Sequence, residues 1–318
     1  MNEFEIIQSY FQKSTYDDTN NVVIGVGDDA AIVSLNSDEH LVVCMDTLVS
    51  GVHFPEATRP EYVAYKALAV NLSDIAAMGA IPRWITLSIT YPEQNEFWFK
   101  AFAKGFYSLA NIHSLSLIGG DLSRGPLSVT VQVQGVLNKY RQPLSRAGAQ
   151  VGDDIYISGE LGAAAYALKS ILEKEQWEAA SDGELARLNR PEARVKLGQA
   201  LSGIANSCID ISDGLNADLT HILNASGVGA ELNLSLLPMS TSLKKIDINS
   251  AYELAMTGGD DYELCFTLPS DINNEQLAEL NAICSISHIG KIISDKGLVL
   301  KDENNHKVIL SKMSYRHF

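Results

Sequence analysis

The sequence predicts a two-domain α/β (α+β) protein, with an N-terminal mixed sheet and a C-terminal α/β domain. The 318 residues are 46% hydrophobic and 20% charged, which suits a globular chain large enough for two packed cores. Apolar runs typical of strands alternate with helical patterns in both halves. Residues 142–153 contain a proline and two glycines and have little periodicity, so we place the boundary there, between domains 1–142 and 143–318.

The first elements of the N-terminal domain are two strands around a helix. The apolar run Leu41–Met45 predicts a buried strand with Asp46 at its end. A helix is predicted over Pro60–Met78, because proline favours the first helical turn and Gly79 is a typical stop. The β-branched and aromatic residues of Trp84–Tyr91 predict the next strand.

Three more elements complete this domain. A second helix is predicted over Glu96–Asn111, followed by a strand at Leu115–Ile118 and a sharp turn at Gly119-Gly120-Asp121. Leu127–Leu137 alternates apolar and polar residues, which predicts a strand with one solvated face.

The C-terminal domain continues as a series of strands and helices, which is typical of an α/β domain. The predicted elements, in order, are strand Ile155–Ser158, helix Leu161–Glu173, helix Pro191–Ile204, strand Cys208–Ile211, helix Leu215–Ser226, strand Tyr262–Leu268, helix Glu275–Ile283 and strand Ser285–Ile293.

The charge balance limits the possible partners. With 39 acidic and 24 basic residues the formal net charge is −15, which argues against nonspecific binding to nucleic acid or to an anionic membrane. The acidic start MNEFEIIQSY and the lack of a long apolar run predict a cytoplasmic protein. The four cysteines are widely spaced without a Cys-x-x-Cys pair, so we interpret them as small buried apolar residues.

Short carboxylates beside glycine or a second aspartate recur along the chain. They are Asp28, Asp29, Asp46, Asp74, Asp121, Asp210, Asp213, Asp260 and Asp261. Each alone is explained equally well as a turn former, a solvated charge or a helix cap. Together they favour a site for several hard cations, since Mg²⁺ prefers oxygen ligands and is usually completed by waters and substrate phosphates. The pattern therefore predicts a polyphosphate ligand neutralised by metal.

Gly25-Val26-Gly27-Asp28-Asp29-Ala30 invites a competing interpretation as a dinucleotide-binding loop, with Asp46 about twenty residues further on. A carboxylate pair would repel a pyrophosphate there, and the residues from Ala30 to Leu35 predict a strand rather than a helix. We therefore favour the metal site over an NAD-dependent dehydrogenase.

Five ordered motifs span essentially the whole chain: GVGDDAA, YKALAVNLSDIAAMGA, LIGGDLSRGPLS, SCIDISDGL and TGGDDYELCF. In this order and spacing they resemble the thiamine-monophosphate kinase family of the aminoimidazole-ribonucleotide-synthetase superfamily. The resemblance implies Mg²⁺-dependent transfer of the ATP γ-phosphate onto thiamine monophosphate, giving thiamine diphosphate and ADP. It also implies a homodimer that pairs through the N-terminal sheets.

The resemblance implies roles for individual residues, position by position. Those matching Mg²⁺ ligands are Asp29, Asp46, Asp74, Asp121, Asp210 and Asp213; those matching nucleotide contacts are Gly120, Asp121, Arg146 and Ser212; those matching substrate contacts are His53, Asp260 and Tyr315. Met45 stands where the family usually has a hydroxyl residue, and Asp260 replaces a more usual glutamate. The alternatives are a superfamily synthetase, selenophosphate synthetase, a dehydrogenase and a noncatalytic nucleotide-binding module.

Overall fold

A computed structural model describes residues 3–12, 20–26, 29–174 and 181–311 of the chain. The chain divides into two compact units, one of residues 1–75 and 80–141 and the other of residues 76–79 and 142–318. Within the described ranges, no helix combines the length and apolar character needed to cross a bilayer.

The first unit is built on a four-stranded mixed sheet in the order β3-β6-β4-β5. Its elements are α1 (Glu3–Ile6), a π-helical turn (Ile7–Phe11), β1 (Val22–Ile24), β2 (Ile32–Val33), β3 (Glu39–Val49), α2 (Pro60–Ala77), β4 (Ile81–Tyr91), α3 (Glu96–Ala110), β5 (Ser116–Arg124) and β6 (Ser128–Asn138). The predicted mixed α/β architecture is confirmed.

Helix α2 is the central helix of this unit, and the prediction of its span is confirmed. Residues from Val63 to Ser73 are all buried, so the helix is covered all round rather than along one stripe. Asp74 follows directly and is only half-buried. Ile75, Ala76 and Ala77 are buried again, so Asp74 is a half-buried carboxylate within an otherwise buried helical segment.

Strand β3 is longer and more exposed than predicted. It continues to Val49, so Asp46 lies inside the strand and not at its end. Leu41, Val43 and Met45 are 47%, 51% and 61% exposed, so the prediction of a buried strand is wrong. The reason is that β3 is an edge strand, and within the described residues one of its faces carries no covering layer.

Strand β5 runs through the Gly-Gly-Asp motif without the predicted turn. It pairs in parallel with β4, and the register shifts between Ile85 and Thr86. A Cβ at Gly120 would overlap the carbonyl oxygen of Leu87. Glycine is therefore required here because two backbones approach closely, and not because the chain turns.

Two further predictions for this unit are confirmed. Along β6, Val129, Val131 and Val133 are fully buried while the polar residues between them are partly exposed. Strand β1 is followed by the antiparallel strand β2 and not by a helix. The βαβ unit of a dinucleotide-binding fold is therefore absent at this position.

The second unit contains a seven-stranded sheet in the order β13-β12-β9-β11-β7-β10-β8. Its elements are β7 (Asp154–Ser158), α4 (Ala163–Lys174), α5 (Asp182–Asn189), α6 (Val195–Leu201), β8 (Ser207–Asp210), α7 (Leu215–Ser226), β9 (Gly229–Asn233), α8 (Ile248–Thr257), β10 (Leu264–Leu268), α9 (Asn274–Ile283), β11 (Ile286–Ile293), β12 (Gly297–Lys301) and β13 (Lys307–Val308). The helix predicted over Pro191–Ile204 is shorter, and α5, α8, β9, β12 and β13 were not predicted.

The cysteines fit the prediction only in part. Cys208 and Cys265 are buried in neighbouring strands, whereas Cys44 and Cys284 are half-exposed. All four are free thiols.

Candidate functional site

The first pair of predicted site residues is Asp46 of β3 and Asp74 of α2. Their side chains share a hydrogen bond. The pKa of Asp46 is raised by burial, which outweighs the lowering effect of that hydrogen bond and of the nearby His53 ring. Two carboxyls in contact cannot both be ionised cheaply without a cation between them. The pair is therefore suited to binding a divalent ion, whose charge would favour the ionised form of both carboxyls.

The second pair lies at a cavity of about 580 Å³ within the same unit. Asp29 and Asp121 both line it, and Ser123 Oγ donates a 2.7 Å hydrogen bond to Asp121 Oδ2. Gly119 and Gly120 also line it. Much of the remaining lining is apolar, contributed by Ile7, Phe11, Val26, Ala30, Ala31, Leu87, Ile89, Leu117, Ile118 and Leu122. The cavity thus combines an apolar surface with two carboxylates, which suits a ligand with both a ring system and phosphates.

The two pairs are not adjacent. Asp46 lies on β3 and Asp121 on β5, the two outer strands of the sheet, which the usual strand spacing places roughly 14 Å apart. Among the described residues, no three His, Cys, Asp or Glu side chains meet in a group that could hold a metal alone. The donors nevertheless fit Mg²⁺, because Mg²⁺ typically takes one or two protein carboxylates and completes its shell with waters and phosphates.

His53 lies in the turn after β3, close to the first pair. Its Nδ1 accepts a 3.0 Å hydrogen bond from Val49 N, so in the neutral ring the proton is on Nε2. The almost fully buried Lys66 of α2 donates its Nζ to the His53 carbonyl at 3.2 Å. The Val49 amide therefore holds the ring through Nδ1 and leaves the Nε2–H as a hydrogen-bond donor.

In the second unit, two of the sequence motifs are joined through their backbones. Ile211 N donates to Glu263 O, Tyr262 N to Ile211 O, and Asp260 N to Ser212 O, at 2.8 to 2.9 Å. Gly259 fits there because a Cβ would lie 2.6 Å from the Ser212 carbonyl oxygen. Ser212 and Asp260, predicted to bind different ligands, are therefore neighbours.

Asp218, in the first turn of α7, supports this loop from within. Its Oδ2 accepts three hydrogen bonds of 3.1 Å, from the amides of Ser212, Asp213 and Gly214. Burial, together with the charges of Asp210 and Asp213, raises the pKa of Asp218 to about 8. Asp218 was not among the predicted site residues.

Two further buried acids lie beside Asp260. Both oxygens of Asp261 accept from Gly162 N, at the start of α4, and burial raises its pKa well above the usual range. Glu263 is paired with Arg187 and with Arg194, whose Nε and Nη2 lie 2.7 Å from its oxygens. Burial lowers the pKa of Arg194, but its hydrogen bond and charge interaction with Glu263 outweigh this and raise it.

The remaining predicted residues are less constrained or lie outside the described ranges. Asp210 is buried at the end of β8, and Asp213 is half-buried three residues after it. Arg146 is exposed, and its carbonyl accepts from Ser226 Oγ. Tyr315 and Asp28 lie outside the described residues.

A sequence signal was available for the acids that the sequence analysis missed. Glu263 interrupts the otherwise largely apolar run Tyr262–Leu268, and a charge in such a run needs a partner. Asp218 is an acid in the first turn of a helix, the position where a carboxylate can accept from orphan amides.

Comparison with known proteins shows the family to which the chain belongs. Residues 27–137 match the family described as AIR synthase related protein, N-terminal domain, and residues 150–303 match its C-terminal domain. Thiamine-monophosphate kinase of Buchnera aphidicola subsp. Schizaphis graminum is 42% identical, covering 100% of this chain and 99% of the relative. The chain belongs to the thiamine-monophosphate kinase family.

Solved structures agree with this family. A crystal structure of thiamine-monophosphate kinase from Stenotrophomonas maltophilia is 43% identical with a TM-score of 0.83, covering 88% of this chain and 91% of that one. A complex of AaThiL with AMPPCP and TMP is 30% identical with a TM-score of 0.77, covering 92% of each chain. The thiamine-monophosphate kinase fold therefore extends over both units of this chain.

Proposed function

We propose that this protein transfers the γ-phosphate of ATP directly to the phosphate of thiamine monophosphate, giving thiamine diphosphate and ADP. The observation that carries the proposal is the contact between Asp46 and Asp74, together with the cavity that Asp29 and Asp121 both line, in a member of this family. The relative solved with AMPPCP and TMP supports the two ligands. Residues 1–142 would hold ATP and metal, and residues 143–318 would complete the site.

Carboxylates hold the reactants through metal in this scheme. Asp29, Asp46, Asp74 and Asp121 of the first unit and Asp210 and Asp213 of the second bind Mg²⁺. When bound, Mg²⁺ neutralises the charge of the two phosphorylated reactants. Gly120, Asp121, Arg146 and Ser212 contact the nucleotide, and the Arg146 guanidinium adds a fixed positive charge toward it.

The acceptor needs no general base. A phosphate monoester has a second pKa near 6, so it is already largely ionised at neutral pH. The chain's task is to orient it: His53 offers its Nε2–H to the acceptor phosphate, and Asp260 and Tyr315 contact the rest of the substrate. A single in-line displacement without a covalent enzyme intermediate follows.

One assay tests the activity, and a second tests whether the phosphate is transferred directly or through a covalent enzyme intermediate. Purified protein with ATP, Mg²⁺ and thiamine monophosphate should release ADP and thiamine diphosphate in equal amounts. Nucleotide binding without turnover would support a noncatalytic module instead. With ATP made chiral at the γ-phosphorus, direct transfer inverts configuration, whereas retention would reveal a phosphoenzyme.

We further propose a homodimer formed through strand β3. Leu41, Val43 and Met45 expose an apolar row on an edge strand, a surface that proteins usually cover. Sedimentation at micromolar concentration should give a dimer, and Met45→Glu should give a monomer. Leu236→Glu, at a residue of the second unit that is 46% exposed, should leave the dimer intact. An unmutated protein that sediments as a monomer would refute the dimer.

The four free thiols support a reducing compartment, and we place the protein in the cytoplasm.

A further inference from the structure

The loop Ser212–Gly214 presents three amides to one point. Successive amides of this kind, ahead of a helix, form a nest that in many nucleotide-binding proteins takes a phosphate. Here the nest is filled by the chain itself, because Asp218 Oδ2 accepts from all three amides at 3.1 Å. Asp218 is only 3% exposed, so its carboxylate belongs to the interior of the loop and not to its ligand-facing side.

The opposite side of the loop backbone is occupied as well. The Ser212 carbonyl accepts from Asp260 N at 2.9 Å, and Gly214 adopts φ 110°, a conformation that favours glycine. The N-cap residue of α7 is Gly214, which has no side chain to accept hydrogen bonds from the first amides of the helix. The loop therefore owes its shape to Asp218 on one side and to the 258–263 segment on the other.

We propose that Asp218 is a positioning residue of the kinase reaction, which fixes the Ser212–Gly214 loop so that Asp210 and Asp213 face the metal-bound nucleotide. By filling the amide nest it also keeps phosphate away from the backbone. The loop then reaches the nucleotide through carboxylates and metal, unlike a phosphate-binding loop that uses its amides. This inference rests on the proposed function.

The test compares three substitutions at Asp218 with a control. Asp218→Ala removes the acceptor, Asp218→Glu keeps the charge but displaces it by one methylene, and Asp218→Asn keeps an acceptor of the same shape. The control is Asp302→Ala, since Asp302 Oδ1 accepts two amides at 2.8 Å, from Asn304 and His306, in the hairpin between β12 and β13. The readouts are calorimetric binding of a nonhydrolysable ATP analogue with Mg²⁺, hydrogen exchange of the 212–214 amides, and kinetics.

The alanine and glutamate variants should bind the Mg²⁺-analogue complex at least tenfold more weakly and exchange the 212–214 amides faster. KM for ATP should rise while KM for thiamine monophosphate stays unchanged. Asp218→Asn should stay within threefold of the unmutated protein, and Asp302→Ala should match it. Should Asp218→Ala fail to fold, the glutamate variant carries the test.

Binding within twofold of the unmutated protein by a folded alanine or glutamate variant would overturn the inference. An equal loss in Asp302→Ala would do the same, because it would reveal a general loss of stability. Failure of the proposed function looks different. In that case the unmutated protein binds the Mg²⁺-analogue complex without phosphorylating thiamine monophosphate, and the effect of Asp218 on binding is still measured.

Discussion

In the first unit two aspartates of the candidate site, Asp46 and Asp74, contact each other, whereas in the second unit three buried acids contact main-chain amides and arginines. Asp46 shares a hydrogen bond with Asp74, a contact between like groups. Asp218 and Asp261 instead accept from amides, and Glu263 is held by two arginines. Carboxylates in contact with each other, like Asp46 and Asp74, are suited to binding a cation and contribute little to the stability of the fold. Carboxylates that accept from amides or pair with arginines stabilise the fold.

The largest effect is expected from a substitution in the contact between Asp46 and Asp74. Asp46→Asn should lower kcat/KM by roughly 1000-fold, because it removes a carboxylate charge that would hold a metal ion at the reacting phosphates. Its melting temperature should equal or exceed that of the unmutated protein, since a contact between like groups is relieved. Steady-state kinetics at limiting Mg²⁺ and thermal unfolding measure the two effects.

Asp38→Asn, in the turn before β3, is the control and should change neither quantity. Near-normal turnover of Asp46→Asn at low Mg²⁺ would remove this carboxylate from the metal site.

Next in size is the loss of stability expected from Glu263→Gln. The substitution leaves Arg187 and Arg194 without their shared buried counter-charge, which should reduce the free energy of unfolding by roughly 3 kcal/mol. Denaturant unfolding measures it. Glu192→Gln removes another partner of Arg194, at 2.9 Å but with a side chain that is 73% exposed, and should cost about 0.5 kcal/mol or less. Equal losses for the two variants would show that burial does not set the strength of the pair.

The smallest expected effect concerns Asp261. Asp261→Ala leaves the buried Gly162 amide without its acceptor and should cost about 1–2 kcal/mol of stability. Asp261→Asn should cost less, because the asparagine Oδ1 can still accept from the Gly162 amide. An asparagine variant as unstable as the alanine variant would show that the ionised form is needed.

Much of the fold and part of the candidate site could be predicted from the sequence. The proline and glycine at its ends predicted α2 well, and the alternation of apolar and polar residues predicted β6 well, since both signals are local in the sequence. The course of β5 could not be read from Gly119-Gly120, because Gly120 is explained by the carbonyl of Leu87 in the neighbouring strand β4 and not by a turn. The exposure of β3 likewise depends on its place at the sheet edge, which is a property of the topology.

Ordered motifs identified the aspartates but not how they meet. The contact of Asp46 with Asp74, and the common cavity of Asp29 and Asp121, depend on which strands and helices become neighbours. The acids that stabilise the second unit were missed for the same reason, since the arginines that pair with Glu263 lie 76 and 69 residues away in sequence.

The central claim is that the aspartates of the first unit act through divalent ions. Crystals grown with Mn²⁺, a nonhydrolysable ATP analogue and thiamine monophosphate allow the ions to be located by anomalous scattering. We predict Mn²⁺ peaks within coordination distance of carboxylate oxygens of Asp46 and Asp74, and of Asp29 and Asp121, each also bound to a phosphate oxygen. Both ligands bound in full, with no anomalous peak beside any of these four aspartates, would contradict the account.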